Sequence, residues 1–325
     1  MSTEQRGGSM KILKVCVLGG SGFIGRHLCE HLAARGYRVQ VLTRSAERAK
    51  DLTMLPTVEL VEADVHSPAD LVRWIRGNDA VINLVGVLHD ARGRAGFRQA
   101  HVELAAKVVA ACREAGVRRL LHMSAINADP RGPSAYLRSK GEAEASVRGS
   151  GLACTIFRPS VVFGRGDRFL TLFAEMQRRL PFVPLACPDA RFQPVHVADV
   201  AAAFVTALER PEAVGETYEL CGPRIYTLRE LVRIAGETSG QARPVIGLGP
   251  RLSYLQALVM EFLPGRLMSR DNVRSMKVDA VCSCAFPFGY RPAALEAVAA
   301  TWLTRSSATT RFQRLRARAV LSRRS

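Results

Sequence analysis

The run VCVLGGSGFIG, Val15 to Gly25, admits few folds. The apolar stretch Val15 to Leu18 reads as a strand buried on both faces and Phe23 onward as a helix. Gly19, Gly22 and Gly25 therefore fall on the turn between them. Glycines placed there let a backbone approach a diphosphate at a helix N-terminus, where free N–H groups and the helix dipole favour anions. A Cβ at Gly22 would obstruct that approach, and a tight turn alone explains one or two glycines rather than three.

The alternation continues down the chain. YRVQVLTR, VELVEAD, DAVINLVG, RRLLHMS and LACTIFRP read as strands. Helical patterns over Phe23 to Arg35, Pro68 to Arg76, Phe97 to Ala115 and Ser134 to about Gly149 separate them. This predicts an α/β fold: a doubly wound parallel sheet with helices on both faces, over residues 12–165, joined by returning segments from the C-terminal half. A Pro-rich loop, LPFVPLACP, then opens a smaller α/β lobe over 166–304, with RFQPVHV, ETYELCG, RPVIGLG and helices from Thr227 and Leu252. Such a lobe sits over the carboxyl ends of the strands, where ligands of open α/β sheets bind. Residues 1–11 read as a disordered leader, the start being Met1 or Met10, and 305–325 as a basic tail.

Charge narrows the partners. The 325 residues carry a formal charge of +17, but Arg305, Arg311, Arg314, Arg316, Arg318, Arg323 and Arg324 all lie in a terminal segment without Asp or Glu. The folded body is only moderately basic. The tail has one aromatic, Phe312, and no nucleic-acid-reading signature accompanies it, so specific nucleic-acid recognition is not expected. No uncharged run suits a membrane span and no secretory h-region opens the chain. The eight cysteines mostly sit in apolar patterns with no CxxC pair, which reads as reduced core thiols and no metal, in a cytoplasmic protein. Cys282 and Cys284 read as incidental neighbours.

The end of the second strand decides between nicotinamide cofactors, because an acid there would hold the ribose 2′-hydroxyl. Thr43 stands in that place and Arg44 follows it, which suits a 2′-phosphate and favours NADP(H) over NAD(H). Further on, Ser124 ends RRLLHMS, and Tyr136 and Lys140 share one face of the next helix at i and i+4. A phenol of ordinary pKa near 10 needs an adjacent ammonium to approach neutrality.

The GxxGxxG turn, the strand-end Ser and the YxxxK helix together resemble the short-chain dehydrogenase/reductase superfamily. TIFRPSVVFGRGD, RFQPVHVADVA and FGYRPAALEAVAATWL extend the resemblance to its extended, atypical members over roughly residues 12 to 303. HMSAINAD and YLRSKGEAE are most similar to the branch containing the 39-kDa accessory subunit of respiratory complex I and its bacterial relatives. The resemblance implies Ser124, Tyr136 and Lys140 as the catalytic set, with Tyr136 the acid/base and Lys140 lowering its pKa and holding the nicotinamide ribose. It implies Gly19, Gly22, Phe23, Ile24 and Gly25 at the diphosphate, Asp64 at the adenine, Leu84, Val85 and Gly86 under the adenosine ribose, and Pro159 near the nicotinamide. Arg191 is the one substrate-side candidate. His101 departs from the family by standing where many extended members have Asn.

Two readings stay open. One is an oxidoreductase or epimerase-type enzyme acting on a small carbonyl or hydroxyl compound, quinone- or isoprenoid-related. The other is a non-catalytic NADPH-binding accessory protein of a respiratory assembly, with no small-molecule substrate. LSYLQALVMEFL, Leu252 to Leu263, either packs on the second lobe, the commoner outcome for an apolar helix, or joins the basic tail as a peripheral attachment to the inner membrane or a membrane complex.

Overall fold

The computed structural model describes residues 12–88, 96–262 and 268–304. The expected 1–11 leader and 305–325 tail lie outside the described residues. Seven parallel strands form the central sheet: β1 (Lys14–Leu18), β2 (Arg38–Thr43), β3 (Val58–Glu62), β4 (Ala80–Asn83), β5 (Arg119–Met123), β6 (Ala153–Pro159) and β7 (Thr217–Leu220). Their order is β7-β6-β5-β4-β1-β2-β3. Val15 pairs with Val39 on one side and Ala80 on the other, so the chain reverses its winding at β1 and opens a crevice at the strands' carboxyl ends.

Because successive strand residues face opposite ways, β1 feeds two cores. Val15 and Val17 pack against Leu28 and Leu32 of α1 (Phe23–Ala34), with Val200 and Phe204 from a later helix, Val197–Glu209. Cys16 and Leu18 pack the other way, with Leu71 and Ile75 of α2 (Pro68–Ile75), Leu104 and Val108 of α3 (Leu104–Ala115), and Ala143 and Val147 of α4 (Ala135–Arg148). Each of the buried Val, Leu and Ile side chains among them is worth about 2 kcal/mol of removal from water. Local signals set the helix ends: Ser67 caps α2 through the Asp70 N–H with Pro68 at the first turn, and Gly116 closes α3 in the left-handed region.

The C-terminal half returns to the sheet twice. The helix Val197–Glu209 is α5 here; it covers the face that α1 begins to cover. β7 then pairs with β6, Thr217 opposite Ile156. ETYELCG therefore belongs to the edge of the main sheet and not to the second lobe, because its pairing partner lies some sixty residues earlier, at a separation sequence periodicity does not report. The smaller lobe has its own core, in which Phe163, Leu170, Leu185 and Phe192 meet Leu231, Val232, Leu295 and Leu303.

The expectation of reduced thiols needs one correction. Cys221 and Cys282 form a disulfide, while Cys16, Cys29, Cys112 and Cys154 are free and buried. Cys221 follows β7, and Ala280 bridges to Phe192 while the Gln193 side chain accepts the Cys282 N–H at 2.9 Å. Those tertiary contacts, invisible in the spacing, bring the two sulfurs together. Cysteine usage thus no longer argues for a reducing compartment.

Gly25 is where the fold is least forgiving. A Cβ there would lie 2.3 Å from the Gly19 carbonyl oxygen and 2.5 Å from the Gly20 Cα, both backbone atoms that cannot rotate away. A Cβ at Gly22 would meet only the Gly19 oxygen, at 3.2 Å. Gly25→Ala should therefore cost about 3 kcal/mol in urea unfolding, whereas Gly22→Ala should stay within about 1 kcal/mol. Equal midpoints for the two variants would overturn this account.

Candidate active site

The turn from β1 into α1 is built as an anion cradle. Gly19 adopts φ +80°, its carbonyl accepts the Gly22 N–H at 3.0 Å, and Gly22 is exposed at the start of the helix. Gly22 brings no side-chain cap and the first turn carries no acid, so the helix dipole faces the crevice uncompensated. Phe23 and Ile24 are half-buried; the Phe23 ring meets His27 edge-on and lies against Gly166, and His27 Nε2 hydrogen-bonds the Arg165 carbonyl at 3.0 Å. The Arg-Pro loop thereby braces the cradle from the far side. Pro159 is buried at the end of β6, opposite Leu220.

Thr43 and Arg44 end β2 beside the cradle. Thr43 is buried, its hydroxyl donating to Ser45 O at 3.2 Å and lying 3.3 Å from Ser21 Oγ, while Arg44 is exposed. Arg26, which the motif reading did not single out, spans the same corner by donating to Ser21 O, Arg48 O and the Asp51 carboxylate. Asp64 is exposed after β3, and its carboxylate accepts the His66 N–H at 2.9 Å, a local turn. Leu84 and Val85 are half-buried after β4, with Gly86 exposed.

Gly86 marks the meeting point with the second cluster: a Cβ on it would lie 3.2 Å from Lys140 Nζ and 3.4 Å from His101 Nε2. Lys140 is buried and donates to the Met123 carbonyl at 3.1 Å, one residue before Ser124. Ser124 Oγ is itself buried with no hydrogen-bond partner among the described residues. Tyr136 lies one turn before Lys140 on α4, its ring edge-on to Phe97 and His101 at 5.8 and 5.7 Å. Lys140 is thus held at the end of β5 beside Ser124, and the Tyr136 ring lies against His101, which reaches the loop after β4.

Burial dominates the electrostatics. It pulls the Lys140 ammonium down to about 8, partly offset by Glu144 one turn on. Glu144 is buried between Arg158 at 2.6 Å and Arg148 at 3.2 Å. Burial pushes the Tyr136 phenol up to about 12, against the lowering expected from a neighbouring ammonium. The cause is desolvation of the phenolate, while the Lys140 ammonium is turned to the Met123 carbonyl.

His101 occupies a π-helical turn, Arg98–Glu103, ahead of α3. Its Nε2 accepts the Val87 N–H at 3.0 Å, which places the ring proton on Nδ1, facing Ser139 Oγ at 2.8 Å. The Ser139 hydroxyl in turn donates to the Tyr136 carbonyl. Burial, with Lys140 and His122 nearby, holds His101 neutral, down to about 2. His101 therefore acts as a spacer between the β4 loop and α4.

Two further residues escaped the motif reading. Asp271, at the start of the short helix Arg270–Ser275, accepts the N–H groups of Ala135 and Tyr136 at 2.8 and 3.0 Å, and Ser275 donates to Ser134 at 2.8 Å. The second lobe so clamps the N-terminus of the helix that carries Tyr136. Arg191 is exposed, 3.6 Å from Asp279, whose carbonyl takes the Asn127 side chain. That connects Arg191 to the loop three residues past Ser124 without bringing it into the cluster.

A parallel sheet reversing at β1, an uncapped glycine turn, a buried Ser124 and Lys140 and a half-buried Tyr136 define a dinucleotide-binding protein of the short-chain dehydrogenase/reductase type. The chain belongs to the NAD(P)H-binding family, which it matches over residues 19–211. It is 34% identical to mouse NADH dehydrogenase (ubiquinone) 1 alpha subcomplex subunit 9, mitochondrial, over 67% of this chain and 59% of that protein's length. It is 32% identical to the ceramide reductase of Caulobacter vibrioides, over 78% of this chain and 75% of the relative. The solved NADPH-dependent quinone oxidoreductase QOR2 of Escherichia coli shares the fold, with a TM-score of 0.70, 20% identity, and coverage of 87% of this chain and 97% of that one.

Lys140 gives the site a pH signature. Its folded pKa, about 8, lies below its ordinary 10.5, so between these values the unfolded chain binds the extra proton and stability rises with pH. The gap corresponds to about 3 kcal/mol. The stability difference between wild type and Lys140→Met should grow toward the wild type by roughly that amount from about pH 7 to about pH 10.5, the buried thiols and phenols cancelling in the difference. Paired urea titrations measure it; a flat difference would refute the burial argument.

Proposed function

We propose that the protein is an NADP(H)-dependent reductase of a lipophilic carbonyl compound, with Ser124, Tyr136 and Lys140 as its working residues. The observation that carries this reading is the convergence at β5: an orphaned, buried Ser124 hydroxyl next to the carbonyl that anchors a buried Lys140. The residues present fit a nicotinamide dinucleotide, since Gly22 leaves open the approach that a Cβ would fill and the uncapped α1 start favours its diphosphate. Bound there, the nicotinamide supplies the hydride that reduces the carbonyl carbon.

The chain's own part is proton delivery and orientation. Ser124 Oγ donates a hydrogen bond to the carbonyl oxygen, and Tyr136 gives its phenolic proton to that oxygen as the carbon is reduced. A phenol held protonated by burial suits the acid role, hence reduction over oxidation. Lys140, close to its own pKa near neutral pH, stabilises the phenolate that results. Phe97 and His101 keep water from one side of the Tyr136 ring. The lipophilic substrate class is supported by the ceramide reductase relative.

Tyr136→Phe should lower turnover of a long-chain ketone with NADPH by at least about a hundredfold while nucleotide affinity changes little. Unchanged turnover removes Tyr136 as the acid. A second reading, an NADPH-holding accessory protein, is favoured by the kinship with a respiratory subunit and by the raised phenol pKa. Nucleotide that stays tightly bound and is oxidised by no carbonyl would decide for it.

The NADP(H) preference rests on Thr43 and exposed Arg44 at the end of β2. Arg44→Asp should weaken NADPH about tenfold more than NADH, because it sets a carboxylate against the 2′-phosphate. Calorimetric titration tests this, and equal wild-type affinity for both nucleotides would sink it.

A further inference from the structure

The helix Pro250–Met260 is folded inside out. Its protein-facing side is small and polar: Ser253 is buried, donating to Leu248 O at 3.1 Å and accepting the Cys187 N–H at 3.2 Å, and Ala257 is buried beneath it. Gln256 donates to Pro184 O at 2.8 Å. Those bonds fix the helix's rotation. The opposite side carries Leu252, Leu255 and Val259, continued by Phe262, at steps of three and four that make one stripe. These four are 55%, 52%, 54% and 68% exposed, and Ile246 lies exposed on the strand just before the helix.

Cations flank the stripe. Arg251 is exposed beside Leu252, and Arg274 and Lys277 are exposed on the next helix and its end. Arg274 reaches the Tyr254 hydroxyl at 3.5 Å, and Arg270 lies over the Tyr254 ring. Between Arg243 and Lys277 the sequence holds six Arg or Lys and two acids, Glu261 and Asp271. Glu261 is paired with Arg270, and Asp271 is turned inward to the start of α4.

From this arrangement we propose that the stripe seats in the interface of an anionic phospholipid bilayer, with Leu252, Leu255, Val259 and Phe262 inserted and Arg251, Arg274 and Lys277 at the headgroups. An apolar face near exposed cations that make no ion pair among the described residues is the pairing that interfacial helices use. A second copy of this chain would fit poorly, because a two-fold contact across the stripe would set those cations against their own images. The next helix, Arg270–Ser275, reaches the site: its Asp271 accepts the amide N–H groups of Ala135 and Tyr136. The surface stands independently of turnover at Tyr136.

Vesicle sedimentation of the full chain tests the proposal. Vesicles of phosphatidylcholine and phosphatidylglycerol in equal parts should bind the protein, with binding falling as salt rises, and phosphatidylcholine alone should bind it weakly. Leu255→Glu with Val259→Glu should cut the bound fraction about tenfold, as should Arg251→Glu with Arg274→Glu, with unfolding temperature unchanged in both because the four positions are exposed. Truncation after Thr304 should weaken binding without abolishing it. Mixed vesicles that bind both double variants as well as wild type, or do not bind the wild type, overturn the proposal. So does a concentration-dependent dimer that the same substitutions split in the absence of lipid.

Discussion

The close approach of α1 to the end of β1 governs the molecule. At Gly25 the helix backbone lies against Gly19 and Gly20 with no room for a Cβ, and that contact sets where the helix starts and which way its dipole points. With the helix pressed to the strand, its first N–H groups face the crevice where the sheet reverses. Leu28 and Leu32 then fall over Val15 and Val17, so one steric fact aligns the cradle with the largest core. Fold and anion site are here the same contact.

The second cluster shows the opposite economy, charge placed where solvent cannot help it. Lys140 is buried beside a neutral His101, a neutral His122 pushed down to about 3 by burial, and a single backbone carbonyl acceptor. Its ammonium survives there because Glu144, itself locked by two arginines, lies one turn away. The arrangement keeps Lys140 near the pH at which it exchanges protons and keeps Tyr136 protonated. Burial thus drives the two values apart, the amine down to about 8 and the phenol up to about 12, so that the phenol stays the proton donor.

The returning C-terminal half converts this sheet into a site. The helix that covers the α1 face, the edge strand β7, the disulfide at its end and the Asp271 clamp all come from beyond residue 190. Asp271 among them holds the start of α4 and hence the backbone of Tyr136. The same half presents the inverted helix, whose polar anchors at Ser253 and Gln256 leave its apolar residues no inward direction. That surface is within one short helix of the candidate acid.

Much of this was legible in the chain itself. The glycine turn, the alternation of buried strands with helices, and the i, i+4 placement of Tyr136 and Lys140 are local patterns, and local backbone geometry turns them directly into structure. Thr43 and Arg44 likewise sit at a strand end the apolar run already marks. What tertiary structure alone decided lies at long separation: β7 against β6, Cys221 against Cys282, Asp271 on the α4 N-terminus, and the phenol raised instead of lowered. Periodicity reports which face of an element is apolar, and it predicts burial of that face; it cannot report that Ser253 and Gln256 find partners that turn the face outward. The sequence by itself determined the dinucleotide-binding sheet and its cradle, because these follow from residues adjacent in the chain. The packing of distant segments decided protonation states, the disulfide and the exposed stripe, because desolvation and partner choice exist only once the chain has closed on itself.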